Sequence, residues 1–312
     1  NTTTCASVVV TVNSAQVITT QPAVTQTTCS GSAVSFTIAT SGTVTGYQWY
    51  NGATPLSNGI NISGADTATL TINPVAITDA SAYHCVVSSS CALPIASDSA
   101  TLIVNEKVSI SSQPEITQTL CTGTTATFSV TASGTALTYQ WYKGIDPLTD
   151  GGSISGATSA SLSINGLTAS DASNAYYCIV SGTSPCGSLQ SDNAILIVNE
   201  NAVINIQPTV TQTICEGLFA NFSITASGGG LTYQWYKGAT MLVDSGIISG
   251  ATTQSLTINP IVLSDTASDY HCVVSNNCTL GLSSDNAELL VNETPSIPNQ
   301  TVSVCSEVAF NY

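Results

Sequence analysis

The sequence has no arginine and only three lysines, Lys107, Lys143 and Lys237, in 312 residues. A protein that grips a polyanion displaces counterions with clustered cations, so this scarcity excludes a nucleic-acid partner and disfavours an anionic membrane surface. Charged side chains of either sign make up 7% of the chain, and 18 Asp and Glu leave a formal net charge of −15. No apolar run approaches the ~20 residues that cross a bilayer, so membrane insertion is not expected. Histidine occurs twice and no Cys-x-x-Cys pair is present. Without a recurring base beside a nucleophile, or a ligand set at metal spacing, the chain reads as no enzyme and as needing no cofactor. Yet 43% of the residues are hydrophobic, too many for a disordered chain. A folded protein is expected, kept soluble by Ser, Thr, Asn and Gln rather than by charge. Eleven cysteines suit disulfide chemistry outside the cytoplasm.

What is present is a repeat. Tyr-Gln-Trp-Tyr recurs at 47–50, 139–142 and 233–236, around Trp49, Trp141 and Trp235. Each copy opens on Gln-Pro (Gln21-Pro22, Gln113-Pro114, Gln207-Pro208), followed by Cys29, Cys121 or Cys215. Alternating runs through Phe36, Phe128 and Phe222 have the period of two that marks half-buried strands. Ser-Gly-Ala turns at Gly64, Gly156 and Gly250 lead into Leu-x-Ile runs. An Asp, a Tyr and a Cys then follow in order: Asp79, Tyr83, Cys85; Asp171, Tyr176, Cys178; Asp265, Tyr270, Cys272. About seven short strands per unit with no helical period predict an all-β chain of antiparallel sandwiches. Trp49, Trp141, Trp235, Tyr83, Tyr176 and Tyr270 are the expected core.

A Trp followed by Tyr-x-Cys at this distance resembles the C and F strands of the immunoglobulin fold, and the Asp-to-Tyr spacing resembles its tyrosine corner. Two departures stand out. The position eleven residues before each Trp, where that fold usually has a second cysteine, is Ile38, Val130 or Ile224. The Asp-to-Tyr interval is one residue longer in the second and third copies. Complete repeats are assigned to 15–106, 107–200 and 201–294. Residues 1–14 are assigned to the last strand of a preceding repeat and 295–312 to the first strands of a following one. Val-Asn-Glu segments join the repeats and are too short for flexible tethers, so the sandwiches are expected head to tail as a rod.

Each unit offers a cysteine before its second long strand, one in the Trp-facing strand, and one in the following loop: Cys91, Cys186 or Cys278. In such a sandwich the first and third lie at opposite ends, beyond the Cα separation a disulfide tolerates. Between successive units they come together. The leading scheme is therefore Cys29–Cys186 and Cys121–Cys278, with Cys85, Cys178 and Cys272 as buried thiols. A rival scheme keeps the bonds within units, as Cys85–Cys91, Cys178–Cys186 and Cys272–Cys278.

Tyr50, Tyr142 and Tyr236 follow the inward Trp and so face outward. His84, Tyr177 and His271 sit outward on the neighbouring strand. One ring pair per unit follows, either as ordinary cross-strand pairing or as a contact face for glycans or for a neighbouring chain.

The full order of Cys-x-Gly, Tyr-Gln-Trp-Tyr, Ser-Gly-Ala, Leu-x-Ile, Tyr-x-Cys and a late Cys resembles the tandem immunoglobulin-like repeats of giant secreted adhesins in gliding and marine Bacteroidetes. That resemblance implies type IX export, display on the cell surface, and a structural or adhesive role in long extracellular filaments. The implied partners are neighbouring repeats, other copies of the chain and surface glycans. Asp-Thr-Ala and Asp-Ser-Ala triplets at Thr67, Ser99 and Thr266 are similar to the short O-glycosylation signal of those surface proteins.

Overall fold

A computed structural model describes residues 12–294. The assignments for residues 1–11 and 295–312 lie outside the described residues. The chain is all-β: it holds three successive two-sheet sandwiches and, among the described residues, no helix longer than a single turn. In the first, β1 is Val17–Thr20, β2 Thr25–Cys29, β3 Val34–Thr37, β4 Ala39–Ser41, β5 Gly46–Asn51 and β6 Thr54–Pro55. β7 is Ile62–Ser63, β8 Thr69–Ile72, β9 Ser81–Ser88, β10 Ile95–Ala96 and β11 Ala100–Asn105. One sheet runs β2-β11-β9-β5-β6 with β10 on β9, and the facing sheet is β3-β8-β7. β2 and β11 are parallel, which sets Cys29 beside Asn105. The second and third sandwiches repeat this order. The residues gather into two compact units. One holds the first sandwich and most of the second; the other holds the third sandwich with residues 119–124 and 166–172.

Period-two alternation builds each core. Val34 and Phe36 point inward from β3, Leu70 and Ile72 from β8, and Tyr83, Cys85 and Val87 from β9. Trp49, Trp141 and Trp235 are fully buried, and Tyr83, Tyr176 and Tyr270 nearly so. Phe36 lies 6.2 Å from the Trp49 ring and stacks on Tyr83 at 5.1 Å. Each indole N–H donates to a carbonyl across the core: Trp49 to Thr67 at 2.9 Å, Trp141 to Ser159 at 2.9 Å, Trp235 to Thr253 at 3.0 Å. Where a cross-sheet cysteine is missing, Ile38, Val130 and Ile224 are buried instead. The outward faces are hydroxyl-lined, with Ser35 to Thr71 at 2.9 Å and Thr37 to Thr69 at 3.1 Å bonded across β3 and β8. This is how a chain with so little charge wets its surface.

The Ser-Gly-Ala turn needs its glycine. Gly64 has φ +74°, and a Cβ there would come within 2.0 Å of the Thr69 carbonyl oxygen. Gly156 and Gly250 are in the same position, with clashes at 2.1 Å.

The tyrosine corner is present. Tyr83 donates its hydroxyl proton to the Asp79 carbonyl at 2.7 Å, and Tyr270 donates to Asp265 at 2.8 Å. The Asp79 carboxylate meanwhile accepts from the Ala76 N–H at 2.8 Å. The extra residue of the second and third copies is absorbed in the strand. β9 runs in plain register against β11, whereas its counterparts Ser173–Ser181 and Ala267–Ser275 shift register between Ser173 and Tyr176 and between Ala267 and Tyr270. Such a bulge takes up one residue without moving the tyrosine off its acceptor.

Candidate functional site

Two recurring features stand out against an otherwise uniform polar surface: bridged cysteines at the connections, and stacked rings on the outward sheet face.

Cys29 ends β2 and bonds Cys186, in the loop after Ser173–Ser181, with an S–S length of 2.05 Å and Cα atoms 5.4 Å apart. Around it the connecting residues are pinned. Ser30 N–H donates to the Asn105 carbonyl at 2.9 Å, Lys107 N–H donates to the Ser30 hydroxyl at 3.1 Å, and Glu106 N–H donates to the Thr135 hydroxyl at 2.7 Å. In the second unit, Cys121 bonds Cys278 with Cα atoms 5.6 Å apart. There Thr122 N–H donates to the Asn199 carbonyl at 2.9 Å, the Asn276 amide to the Glu200 carbonyl at 2.9 Å, and Ala202 N–H to the Thr279 hydroxyl at 3.0 Å. Each connection thus combines a covalent bond with backbone hydrogen bonds on both sides of it.

The rival pairing within units is not formed. Cys85, Cys178 and Cys272 are free thiols, so neither Cys85–Cys91, Cys178–Cys186 nor Cys272–Cys278 exists. The reason is side-chain direction: strand alternation turns Cys85 inward, in register with Trp49, while Cys91 lies exposed in the loop beyond. Cys186 and Cys278 are already used.

Burial pushes the Cys85, Cys178 and Cys272 thiols up to about 11, a single backbone hydrogen bond on each opposing it. Burial, with the nearby Asp79 charge adding to it, pushes the Tyr83 hydroxyl up to about 12. Both kinds of group fold in the neutral form. Their contribution is therefore intact below their ordinary values and is lost as pH rises through the raised ones. The melting temperature is expected to stay level from pH 7 to about 9 and to fall steadily between about 9 and 12. Native alkylation at pH 8 should label Cys91 and Cys215 and spare the three core thiols; rapid labelling of Cys85 would contradict the packing described.

The outward rings meet as pairs. Tyr50 lies opposite His84, Tyr142 opposite Tyr177 and Tyr236 opposite His271 on adjacent strands. Their centroids are 5.1, 5.1 and 5.3 Å apart, with planes within 5–9° of parallel. All six rings are half-buried. Beside each pair lies the short neighbouring strand, putting Pro55, Pro147 or Met241 opposite the tyrosine. The result is one flat, mostly apolar platform per sandwich with hydroxyl or imidazole edges, a shape that suits stacking against a sugar ring or another planar group. Gln48, Gln140 and Gln234, next to each Trp, do not join it; their amides donate to the Leu56, Leu148 and Leu242 carbonyls at 2.7–2.8 Å.

The triplet residues differ among themselves. The Thr67 hydroxyl donates to the Thr69 carbonyl at 2.9 Å inside the glycine turn, and Thr266 accepts from Val291 N–H at 3.1 Å. A sugar on Thr67 would remove the proton that its turn uses. Ser99 is exposed at the entry to β11.

A family model of the immunoglobulin I-set domain matches residues 16–104, the first sandwich. Inactive tyrosine-protein kinase 7 of Gallus gallus is 28% identical over 242 residues, covering 74% of this chain and 22% of that protein. This chain therefore spans about a fifth of that relative's length. An I-band fragment of titin matches with a TM-score of 0.68 at 19% identity, over 91% of this chain and 100% of that one. The eight N-terminal Ig domains of Down Syndrome Cell Adhesion Molecule match with a TM-score of 0.59 at 18% identity, over 87% of this chain and 36% of that one. These likenesses show the fold: three tandem immunoglobulin-like β-sandwiches.

Proposed function

We propose that the chain is a structural and adhesive segment of a long extracellular surface protein, its sandwiches acting as spacers tied to one another by disulfides. One observation carries this reading. The same two positions are bridged twice, each time across a sequence separation of 157, so the bond belongs to the repeat and not to one accidental pair. Such bonds persist in an oxidising compartment, which supports an extracellular location. A surface of hydroxyls and amides with three lysines offers trypsin-like proteases few sites and permits close lateral packing of copies. The resemblance to secreted adhesin repeats of Bacteroidetes supports a filament as the setting. Peptide mapping without reduction, on material stripped from the outer surface of the native cells, tests it. Peptides linking Cys29 to Cys186 and Cys121 to Cys278 are expected; recovery of all four as free thiols would sink the reading.

The ring platforms favour a second reading, in which each sandwich also captures glycan or protein through Tyr50, Tyr142 and Tyr236 with their partners. Changing the three tyrosines to serine distinguishes the two. A pure spacer keeps its adhesion within about twofold, whereas a binding face loses tenfold or more, since base-level stacking of this kind contributes about 1–3 kcal/mol per ring. Circular dichroism of the triple variant checks that the sheets remain intact.

A further inference from the structure

The bridge has two halves, a cysteine closing the second strand and a cysteine in the loop after the Trp-facing strand. Both halves are joined at Cys29–Cys186 and Cys121–Cys278. The third sandwich carries the first half again, at Cys215, and the first sandwich carries the second half, at Cys91; both are free and exposed. Each is built as its bonded counterparts are. Cys215 pairs with Asn292 across the parallel strands as Cys29 pairs with Asn105. The next residue, Glu216, donates its N–H to the Asn292 carbonyl at 2.9 Å, as Ser30 does to Asn105 and Thr122 does to Asn199. Cys91 N–H is held by the Ser89 hydroxyl at 3.3 Å, as Cys278 N–H is held by the Asn276 side chain at 2.9 Å.

The loop of Cys91 carries a further mark. Gln16 stands where Val108 and Ala202 stand at the bonded connections, and it is 4% exposed. Its amide donates to the Leu93 carbonyl at 2.6 Å, two residues from Cys91. Its Oε1 is buried and is an unpartnered acceptor among the described residues. A polar atom left this way is costly unless something completes the end of the sandwich. The neighbouring Asn13 amide reaches the Ser90 hydroxyl at 3.4 Å on the exposed side, a long bond that is easily exchanged.

Resting on the spacer reading above, we infer that Cys91 and Cys215 are open halves of the same bridge, and that a second copy of this chain closes it, Cys215 of one copy bonding Cys91 of the next. The bond forms by thiol–disulfide exchange with a small disulfide such as oxidised glutathione. One thiolate attacks the donor and expels a thiolate; the second thiolate then attacks the mixed disulfide and expels the other. Two protein thiols are oxidised to one disulfide, one glutathione disulfide is reduced to two thiols, and the two protons go to those leaving groups.

The test uses the full chain, purified with its two internal bridges intact and incubated with oxidised glutathione. Linked ladders whose mapped crosslink is Cys91–Cys215 are expected. C91S alone and C215S alone should each stay unlinked, while their mixture should give a dimer and nothing larger. Equal amounts of Cys91–Cys91 or Cys215–Cys215 product would mean random collision and overturn the inference. So would bonds from either residue to Cys5 or Cys305, or thiols that remain alkylatable throughout. Failure here with Cys29–Cys186 and Cys121–Cys278 still mapped would leave the spacer reading standing, so the two fail separately.

Discussion

Stretched between anchors outside Cys29 and Cys278, the oxidised chain is expected to pay out about 220 Å of contour once its sandwiches unfold, against about 850 Å after reduction, at ~3.4 Å per residue. The difference follows from how the two bridges overlap. Cys121 lies inside the loop closed by Cys29–Cys186, and Cys186 lies inside the loop closed by Cys121–Cys278. The shortest covalent route from Cys29 to Cys278 crosses to Cys186, returns to Cys121 and crosses again. It contains only the stretch from Cys121 to Cys186, about 65 residues, whereas the open chain contains about 250. Single-molecule stretching with and without a reductant reads this directly. Equal extension in the two states would show that the bridges do not transmit force, and the spacer reading would lose its mechanical basis.

Replacing Trp235 with alanine is expected to cost the third sandwich about 3–5 kcal/mol, the usual loss for emptying so large a buried site. Trp235 is fully buried against Phe222 at 6.2 Å, and Cys272 lies opposite it on the adjacent strand. The variant also strands the Thr253 carbonyl that its indole N–H satisfies at 3.0 Å. Domains are typically stable by about 5–15 kcal/mol, so a third or more of the margin goes. W235F should fall between, keeping most of the ring volume but leaving that carbonyl unmet at about 1–3 kcal/mol. Denaturant unfolding followed by the fluorescence of Trp49 and Trp141 should show their transitions nearly unmoved. A collapse of all three transitions together would mean that the sandwiches do not have separate cores.

The core was legible in the sequence because period-two alternation is a strong signal: Phe36, Leu70, Tyr83 and Trp49 are each fixed by their own neighbours along the strand. The outward placement of the Tyr50 and His84 rings follows from the same parity. Their near-parallel contact at 5.1 Å does not, because it depends on direct cross-strand register. Other features were visible as letters without a reason. Gln21, Gln113 and Gln207 recur before each proline, and only the folded chain shows why: their side-chain oxygens accept from the N–H of Asp98, Asp192 and Asp285 at 2.9 Å, holding the entry to the last strand. Such a contact spans some 77 to 79 residues and leaves no local trace. The extra residue before Tyr176 and Tyr270 was countable, but its housing as a strand bulge depends on the partner strand. Gln16 was invisible for a related reason, since its role appears only beside Val108 and Ala202.

Ile38, Val130 and Ile224 in place of a second core cysteine carry one more consequence, for the order of assembly. A sandwich whose interior needs no oxidation reaches its final packing as a reduced polypeptide. Collapse then hides Cys85, Cys178 and Cys272 before any oxidant arrives, leaving for reaction only sulfurs that already sit at the edges. Mispairing is prevented by sequence of events, with no isomerase needed to correct it, and the stitches are added last to bricks that are already made.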